Sequence, residues 1–181
     1  NTIVIGGGMA NTFLAAQGYP VGKSLCEHDL LPTARDIIAT AKAKGCTLLL
    51  PTDVVVAREF KANSPSRNIN IADVAADDMI LDIGPDTVHA YAAALTLAKA
   101  VVWNGPMGVF EMEKFAAGSF GIARTLANLR AVTVVGGGET AAVVAQAGLQ
   151  ARFTHVSTGG GASLEMLEGR ELPGVAALMD A

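Results

Sequence analysis

Short apolar runs recur along the chain, most of them closed by glycine or proline and followed by a longer mixed stretch. The runs Thr2–Ile5, Cys46–Leu50, Val54–Ala57, Met79–Ile83, Ala100–Trp103, Ala131–Val135 and Thr154–Ser157 predict strands. The stretches between them predict helices over Met9–Gln17, stopped by Gly18, and over Asp29–Lys44, with Asp29 as N-cap, Pro32 in the first turn and Gly45 as stop. Further helices are expected over Asp86–Ala98, Phe115–Leu129, Glu139–Ala147 and Ala162–Glu168, with a terminal turn or two over Val175–Met179. Between Glu59 and Asp78 the chain is polar and turn-rich, and only a short strand near Asn68–Ile71 is expected there. Strands that are apolar on both faces and alternate with helices imply a parallel sheet covered on both sides. The expected fold is therefore α/β, a doubly wound parallel sheet with helices on both faces, forming one domain over residues 1–181. Its first strand starts at residue 2 with no helix or cap before it, so sequence is expected to be missing from the N-terminal side.

Composition narrows the function classes. Apolar residues make up 51% and charged residues 17%, which disfavours disorder and leaves enough apolar surface for a packed core. The net charge is −4, and no basic run or basic–aromatic interleaving occurs, so nucleic acid is not an expected partner. No uninterrupted apolar stretch reaches the ~18 residues of a membrane span, and no signal peptide precedes the first strand. Cys26 and Cys46 lack metal-site spacing, which fits buried or half-buried thiols in a reduced, cytoplasmic setting. A monomer is expected.

The candidate chemistry lies where strands end. Glycine triplets stand at 6–8, 136–138 and 159–161, each between a predicted strand and a predicted helix. In parallel sheets ligands bind at the carboxyl ends of the strands. Helix N-termini with exposed N–H groups favour anions there. In Gly136-Gly137-Gly138-Glu139-Thr140 the Thr140 hydroxyl can donate to a phosphate. Glu139 would repel a bare phosphate, so it either bridges through a metal such as Mg²⁺ or merely complements the helix dipole. Ser157-Thr158-Gly159-Gly160-Gly161-Ala162-Ser163 is either a second anion seat or a capped, tight connection. Gly6-Gly7-Gly8-Met9-Ala10 is either a wall for a flat base or a close helix–strand contact. In Trp103-Asn104-Gly105-Pro106-Met107-Gly108-Val109-Phe110-Glu111, Asn104 offers amide donors and Glu111 can accept from vicinal hydroxyls, as an acid does for a ribose. An Asn-Gly-Pro turn also occurs without any function. No lysine or arginine lies inside the glycine turns, although phosphoryl transfer normally needs cations beyond backbone amides.

Taken together, these segments resemble the phosphoglycerate kinase family. The resemblance rests on Gly6-Gly7-Gly8-Met9-Ala10 with Phe13-Leu14, Gly22-Lys23-Ser24-Leu25, Leu49-Leu50-Pro51-Thr52-Asp53-Val54-Val55-Val56-Ala57 and Leu81-Asp82-Ile83-Gly84-Pro85. It continues through the Val102–Glu111 segment, His155-Val156-Ser157-Thr158-Gly159-Gly160-Gly161-Ala162-Ser163-Leu164-Glu165 and Leu172-Pro173-Gly174-Val175-Ala176-Ala177-Leu178, in matching order along nearly the whole chain. It implies the Rossmann-like, C-terminal nucleotide-binding domain of an enzyme that moves a phosphoryl group between 1,3-bisphosphoglycerate and ADP. Glu111 is then expected at the ribose, Asn104 at the phosphates, and Gly137, Gly138, Glu139 and Thr140 at the phosphate and metal site. Gly7 and Gly8 are expected beside the adenine, and Gly159, Gly160 and Gly161 facing the cleft with Gly138 around the transferring group. The implied ligands are ATP or ADP with Mg²⁺, held on the metal side by Glu139, and the implied partner is a glycerate-binding N-terminal domain. Three departures stand out. Glu139 replaces the family's usual Asp, Ile80 stands where Gly is frequent, and a strand with a Gly-Ala-Lys segment that opens the family's domain is absent. A dinucleotide-binding oxidoreductase is a second reading, since Gly136-x-Gly138-x-x-Ala141 fits that fingerprint, but no acid follows ~20 residues later. A non-catalytic nucleotide- or protein-binding module is the third.

Overall fold

The computed structural model describes residues 1–173, 176 and 177. The terminal turns expected over Val175–Met179 begin and end outside them. Its strands are β1 (Thr2–Val4), β2 (Thr47–Leu49), β3 (Asp53–Ala57), β4 (Ser66–Asn70), β5 (Met79–Ile83), β6 (Ala100–Asn104), β7 (Val132–Gly136) and β8 (His155–Ser157). Its helices are α1 (Gly7–Ala16), α2 (Leu31–Ala43), α3 (Pro85–Leu95), α4 (Ala117–Ala127), α5 (Gly138–Gln146) and α6 (Gly160–Leu167). The α/β fold with helix-flanked parallel sheets is as expected.

Two parallel ladders carry the glycine turns, β1 with β2 and β6 with β7 and β8. A separate antiparallel sheet in the order β4-β3-β5 adds to the expected architecture. The runs over β3 and β5 were expected to join the parallel sheet. Apolar runs report burial on both faces but carry no information about strand direction. β4 is a polar edge strand, displaced toward the N-terminus of the strand expected near Asn68–Ile71, and its residues are exposed except for half-buried Ile69.

Asp29 does not cap the second long helix. It lies in a short 3₁₀ turn over His28–Leu30, and α2 starts at Leu31 without a side-chain cap. For α3 the cap comes from another element. Asp53, at the start of β3, accepts hydrogen bonds from the Thr87 N–H at 2.7 Å, the Thr87 hydroxyl at 2.7 Å and the Asp86 N–H at 3.2 Å. Burial alone would raise the Asp53 pKa, but these bonds, with one from Asn68, hold the carboxyl below its ordinary range.

The largest apolar cluster lies between the β6–β7 ladder and helices α3, α4 and α5, with Trp103, Ile122, Leu126, Val135, Val143 and Tyr91 at its centre. A smaller one, with Ile5, Ala10, Phe13 and Ala34, joins β1 to α1 and α2. Tyr91 bridges the two regions. Its hydroxyl donates to the Ile5 carbonyl at 2.7 Å, at the end of β1.

Candidate functional site

Strand register builds the site. Asn104 pairs with Gly136, and Gly136 with Ser157, so three of the sequence motifs start side by side in one row at the carboxyl end of a parallel sheet. Gly137, the next residue, takes φ +94°, a conformation that favours glycine. A Cβ on Gly137 would come within 2.8 Å of the Asn104 Oδ1, and one on Gly160 within 2.9 Å of the Gly137 Cα. The Asn104 amide, the Gly137 turn and the Gly160 turn therefore fit together only because both turns are bare backbone.

The Gly105 N–H donates to the Thr140 hydroxyl oxygen at 2.7 Å, so Thr140, which is fully buried, ties the Asn104 loop to the first turn of α5. A hydroxyl that accepts there keeps its own proton to donate. Gly138 and Glu139 are exposed at the N-terminus of α5, and Gly159 and Gly161 are exposed around the start of α6. Helix α5 has nine residues and α6 eight, so both turn a positive dipole end to this row.

The first glycine triplet meets the same loop from the other side. The Gly7 N–H donates to the Met107 carbonyl at 3.0 Å, and a Cβ on Gly7 would lie 2.8 Å from the Pro106 carbonyl oxygen. Gly8 faces Leu25, whose side chain is 76% exposed, beside Met9 at 64%. Gly6 and Gly7 thus pack closely against the Met107 loop, and Gly8 lies against the exposed side chain of Leu25.

Glu111 sits in the loop after β6, between buried Phe110 and half-buried Met112, so it is held outward and exposed. Neither Glu111 nor Glu139 has a side-chain hydrogen bond or ion pair among the described residues. No cluster of three or more His, Cys, Asp or Glu suited to a metal occurs among the described residues. A lone exposed carboxylate at a helix N-terminus still suits Mg²⁺, which is commonly bound through one or two carboxylates plus substrate phosphates and water. A cavity of about 600 Å³ lined by Ile3, Ile37, Ala41 and Lys44 lies between β1 and α2, away from these turns.

Sequence reasoning gave no role to Asp82 or Ser119. Asp82 is 1% exposed, and its carboxylate accepts the Gly118 N–H at 2.7 Å and the Ile83 N–H at 2.9 Å. An acid inside the apolar run Met79–Ile83 was the signal available. Burial pushes the Asp82 carboxyl up to about 7, against the pull of those two amides. Between about pH 4 and 7 the folded chain therefore binds more protons here than the unfolded chain. The contribution of Asp82 makes the fold less stable as pH rises through that window and changes nothing further above it. In urea melts, the stability difference between parent and Asp82→Asn should shift by on the order of 2–4 kcal/mol between pH 4.5 and 7.5, the parent losing the more. A pH-independent difference would contradict the assignment.

A sequence profile described as phosphoglycerate kinase matches residues 1–170. A phosphoglycerate kinase from Pelotomaculum thermopropionicum is 57% identical over 180 residues, covering 99% of this chain and 46% of the relative. One from Roseiflexus is 53% identical over 181 residues, covering 100% and 46% respectively. Among solved structures, phosphoglycerate kinase from Coxiella burnetii superposes with a TM-score of 0.91 at 44% identity, over 93% of this chain and 44% of that one. The enzyme from Pyrococcus horikoshii superposes with a TM-score of 0.85 at 32% identity, over 98% of this chain and 45% of that one. The chain thus spans about half the length of the relatives it matches. The profile match, the relatives and the superposed structures lead to the same conclusion: this chain belongs to the phosphoglycerate kinase family.

Proposed function

We propose that this chain is the nucleotide-binding half of a phosphoglycerate kinase and takes Mg-ADP or Mg-ATP across the carboxyl ends of β6, β7 and β8. The observation that carries the reading is the alignment of Asn104, Gly136 and Ser157 in one row, with the Gly137 and Gly160 turns packed against the Asn104 amide. In this reading Glu111 accepts from the ribose hydroxyls, and Gly7 and Gly8 border the adenine. Asn104, Gly137, Gly138 and Thr140 line the nucleotide phosphates, and Glu139 stands on the metal side. Bound Mg²⁺ would neutralise phosphate charge. Glutamate reaches one methylene further than aspartate, which suits the outward position of Glu139 at the start of α5. Gly159, Gly160 and Gly161 keep the backbone at the start of α6 bare toward the transferring phosphoryl group, with the Gly159 N–H donating to the Ser157 hydroxyl at 3.1 Å and the Gly160 N–H to the Thr158 carbonyl at 3.2 Å.

The whole reaction, reversible phosphoryl transfer between 1,3-bisphosphoglycerate and ADP in glycolysis, belongs to this proposal too. So does the partner, a glycerate-binding domain within the other half of such an enzyme. This reading seats the lysine-bearing strand of the family between β1 and β6. Among the described residues β1 pairs only with β2, and β6 pairs within its ladder only with β7, while the Gly7–Met107 hydrogen bond brings their carboxyl ends together. Two free cysteines and a net charge of −4 support a reduced, cytoplasmic setting and argue against nucleic acid or an anionic membrane surface. No described helix is long and apolar enough to cross a membrane. We take the protein as a monomer.

Calorimetric titration with Mg-ADP tests the site. A charge-assisted hydrogen bond is worth about 1.5–3 kcal/mol, so Glu111→Ala should weaken ADP binding by about ten- to a hundredfold. Unchanged affinity in a folded variant would remove Glu111 from the site. ADP should bind and NAD should not.

A further inference from the structure

The nucleotide reading leaves Asp82 unused, yet its carboxylate lies beneath the loop that carries Glu111. A Cβ added to Gly108 or to Gly118 would collide with the Asp82 carboxylate, so the loop and the first turn of α4 both rest directly on it. The two neighbours of Gly108 are tied down as well. The Met107 N–H donates to the buried Ser119 hydroxyl at 2.9 Å, and the Val109 N–H donates to the Leu81 carbonyl at 2.8 Å. Three consecutive loop residues are thus held by α4, by Asp82 and by β5. Phe110 and Phe115, both buried, anchor the chain on either side of the exposed segment that bears Glu111. A buried carboxylate with no ion pair among the described residues is a costly way to hold a loop. An apolar residue at this strand position would fill space without desolvating a charge. It could not, however, bind the Gly118 N–H while leaving room for the bare backbone of Gly108.

We propose that Asp82 is a positioning residue for nucleotide recognition, which sets the seat of Gly108 and of the α4 N-terminus and thereby aims Glu111 at the ribose. The phosphate turns are held separately, by the β6–β7–β8 register and by the Gly105–Thr140 hydrogen bond. Loss of Asp82 should therefore impair ribose recognition while sparing phosphate binding. The inference rests on the assignment of Glu111 to the ribose. Asn at position 82 keeps the volume but has one acceptor oxygen for the two N–H groups of Ile83 and Gly118, so its NH2 must face one of them, which loosens the seat without opening a cavity.

The experiment compares Mg²⁺-dependent binding of ADP, 2′,3′-dideoxy-ADP and pyrophosphate to the full chain, its Glu111→Ala variant and its Asp82→Asn variant. The parent should prefer ADP over the dideoxy analogue by about tenfold or more, and Glu111→Ala should abolish that preference. Asp82→Asn should reduce the preference to about threefold or less with pyrophosphate affinity changed by no more than about twofold, because only the aim of one carboxylate has moved. Gly108→Ala, which leaves Asp82 intact and lifts the loop from it, should give the same selective loss and serves if Asp82→Asn does not fold. A parent without the preference overturns the ribose assignment and this inference with it. A parent that shows the preference, with variants that keep it or that lose pyrophosphate binding in parallel, overturns the positioning role alone.

Discussion

Tyr91→Ala is expected to destabilise the chain by about 3–5 kcal/mol, the range for removing a large aromatic side chain from a packed interior. The side chain is 1% exposed and sits in the main apolar cluster, against the β6–β7 ladder and helix α4. Its hydroxyl donates to the Ile5 carbonyl at 2.7 Å and lies 3.4 Å from the Leu49 carbonyl. The residue therefore fastens α3 to the carboxyl ends of both β1 and β2, next to the first glycine turn. Burial raises its pKa well above the ordinary value, so it remains a donor across the accessible pH range. Tyr91→Phe keeps nearly all of the volume and leaves the Ile5 carbonyl without this donor, at a cost of about 1–2 kcal/mol. Urea denaturation with a common slope separates the two effects. A Tyr91→Ala loss below about 1 kcal/mol would mean that the β1–β2 ladder is held by other contacts.

Much of this architecture was legible because burial and turn chemistry are written locally. Val101 to Trp103 and Val132 to Val135 read as strands from their own side chains, and the stops at Gly18 and Gly45 fall where the helices end. What was not legible depends on partners far along the chain. Asp53 caps α3 from 33 and 34 residues away, so no window around Pro85 could reveal the cap. The apolar run Val54–Ala57 gave its burial but not its antiparallel pairing, and polar β4 gave little strand signal at all. The site shows the same division. Each glycine turn was visible by itself with two readings open, one of them mere packing. Only the register that places Asn104, Gly136 and Ser157 in a row joins two of them into a surface. The third packs Gly6 and Gly7 against Met107 and Pro106 and Gly8 against Leu25, contacts that no window around the triplet could reveal. Asp82 was overlooked although it interrupts an apolar strand, because an acid there suggests nothing until Gly108 and Gly118 are seen to lie on it.

The 181-residue chain by itself is expected to give no phosphoryl transfer between ATP and 3-phosphoglycerate above background. It spans about half of the relatives it matches, and the row of turns presents one wall of a site. Bringing an acceptor carboxylate into line with the terminal phosphate can supply about 7–11 kcal/mol of a barrier, and that requires a second surface to hold the acceptor. Charge balance is the next deficit. The glycine turns contain no lysine or arginine, and cationic groups aimed at a transferring phosphoryl are worth about 10³–10⁵ in rate. Backbone N–H groups at the starts of α5 and α6 would bind an anion before and after transfer alike, and uniform binding of that kind does not raise turnover. An open face also admits water, which weakens each electrostatic contact made there. A coupled assay on purified chain should therefore read the same as buffer, while calorimetry on the same sample reports Mg-ADP binding. Adding the remaining half of such an enzyme as a separate chain, with its lysine-bearing strand, should raise the rate if that strand enters between β1 and β6. Turnover by the 181-residue chain alone, lost in an identically purified Glu111→Ala sample, would show that these turns suffice and would refute the charge-balance argument.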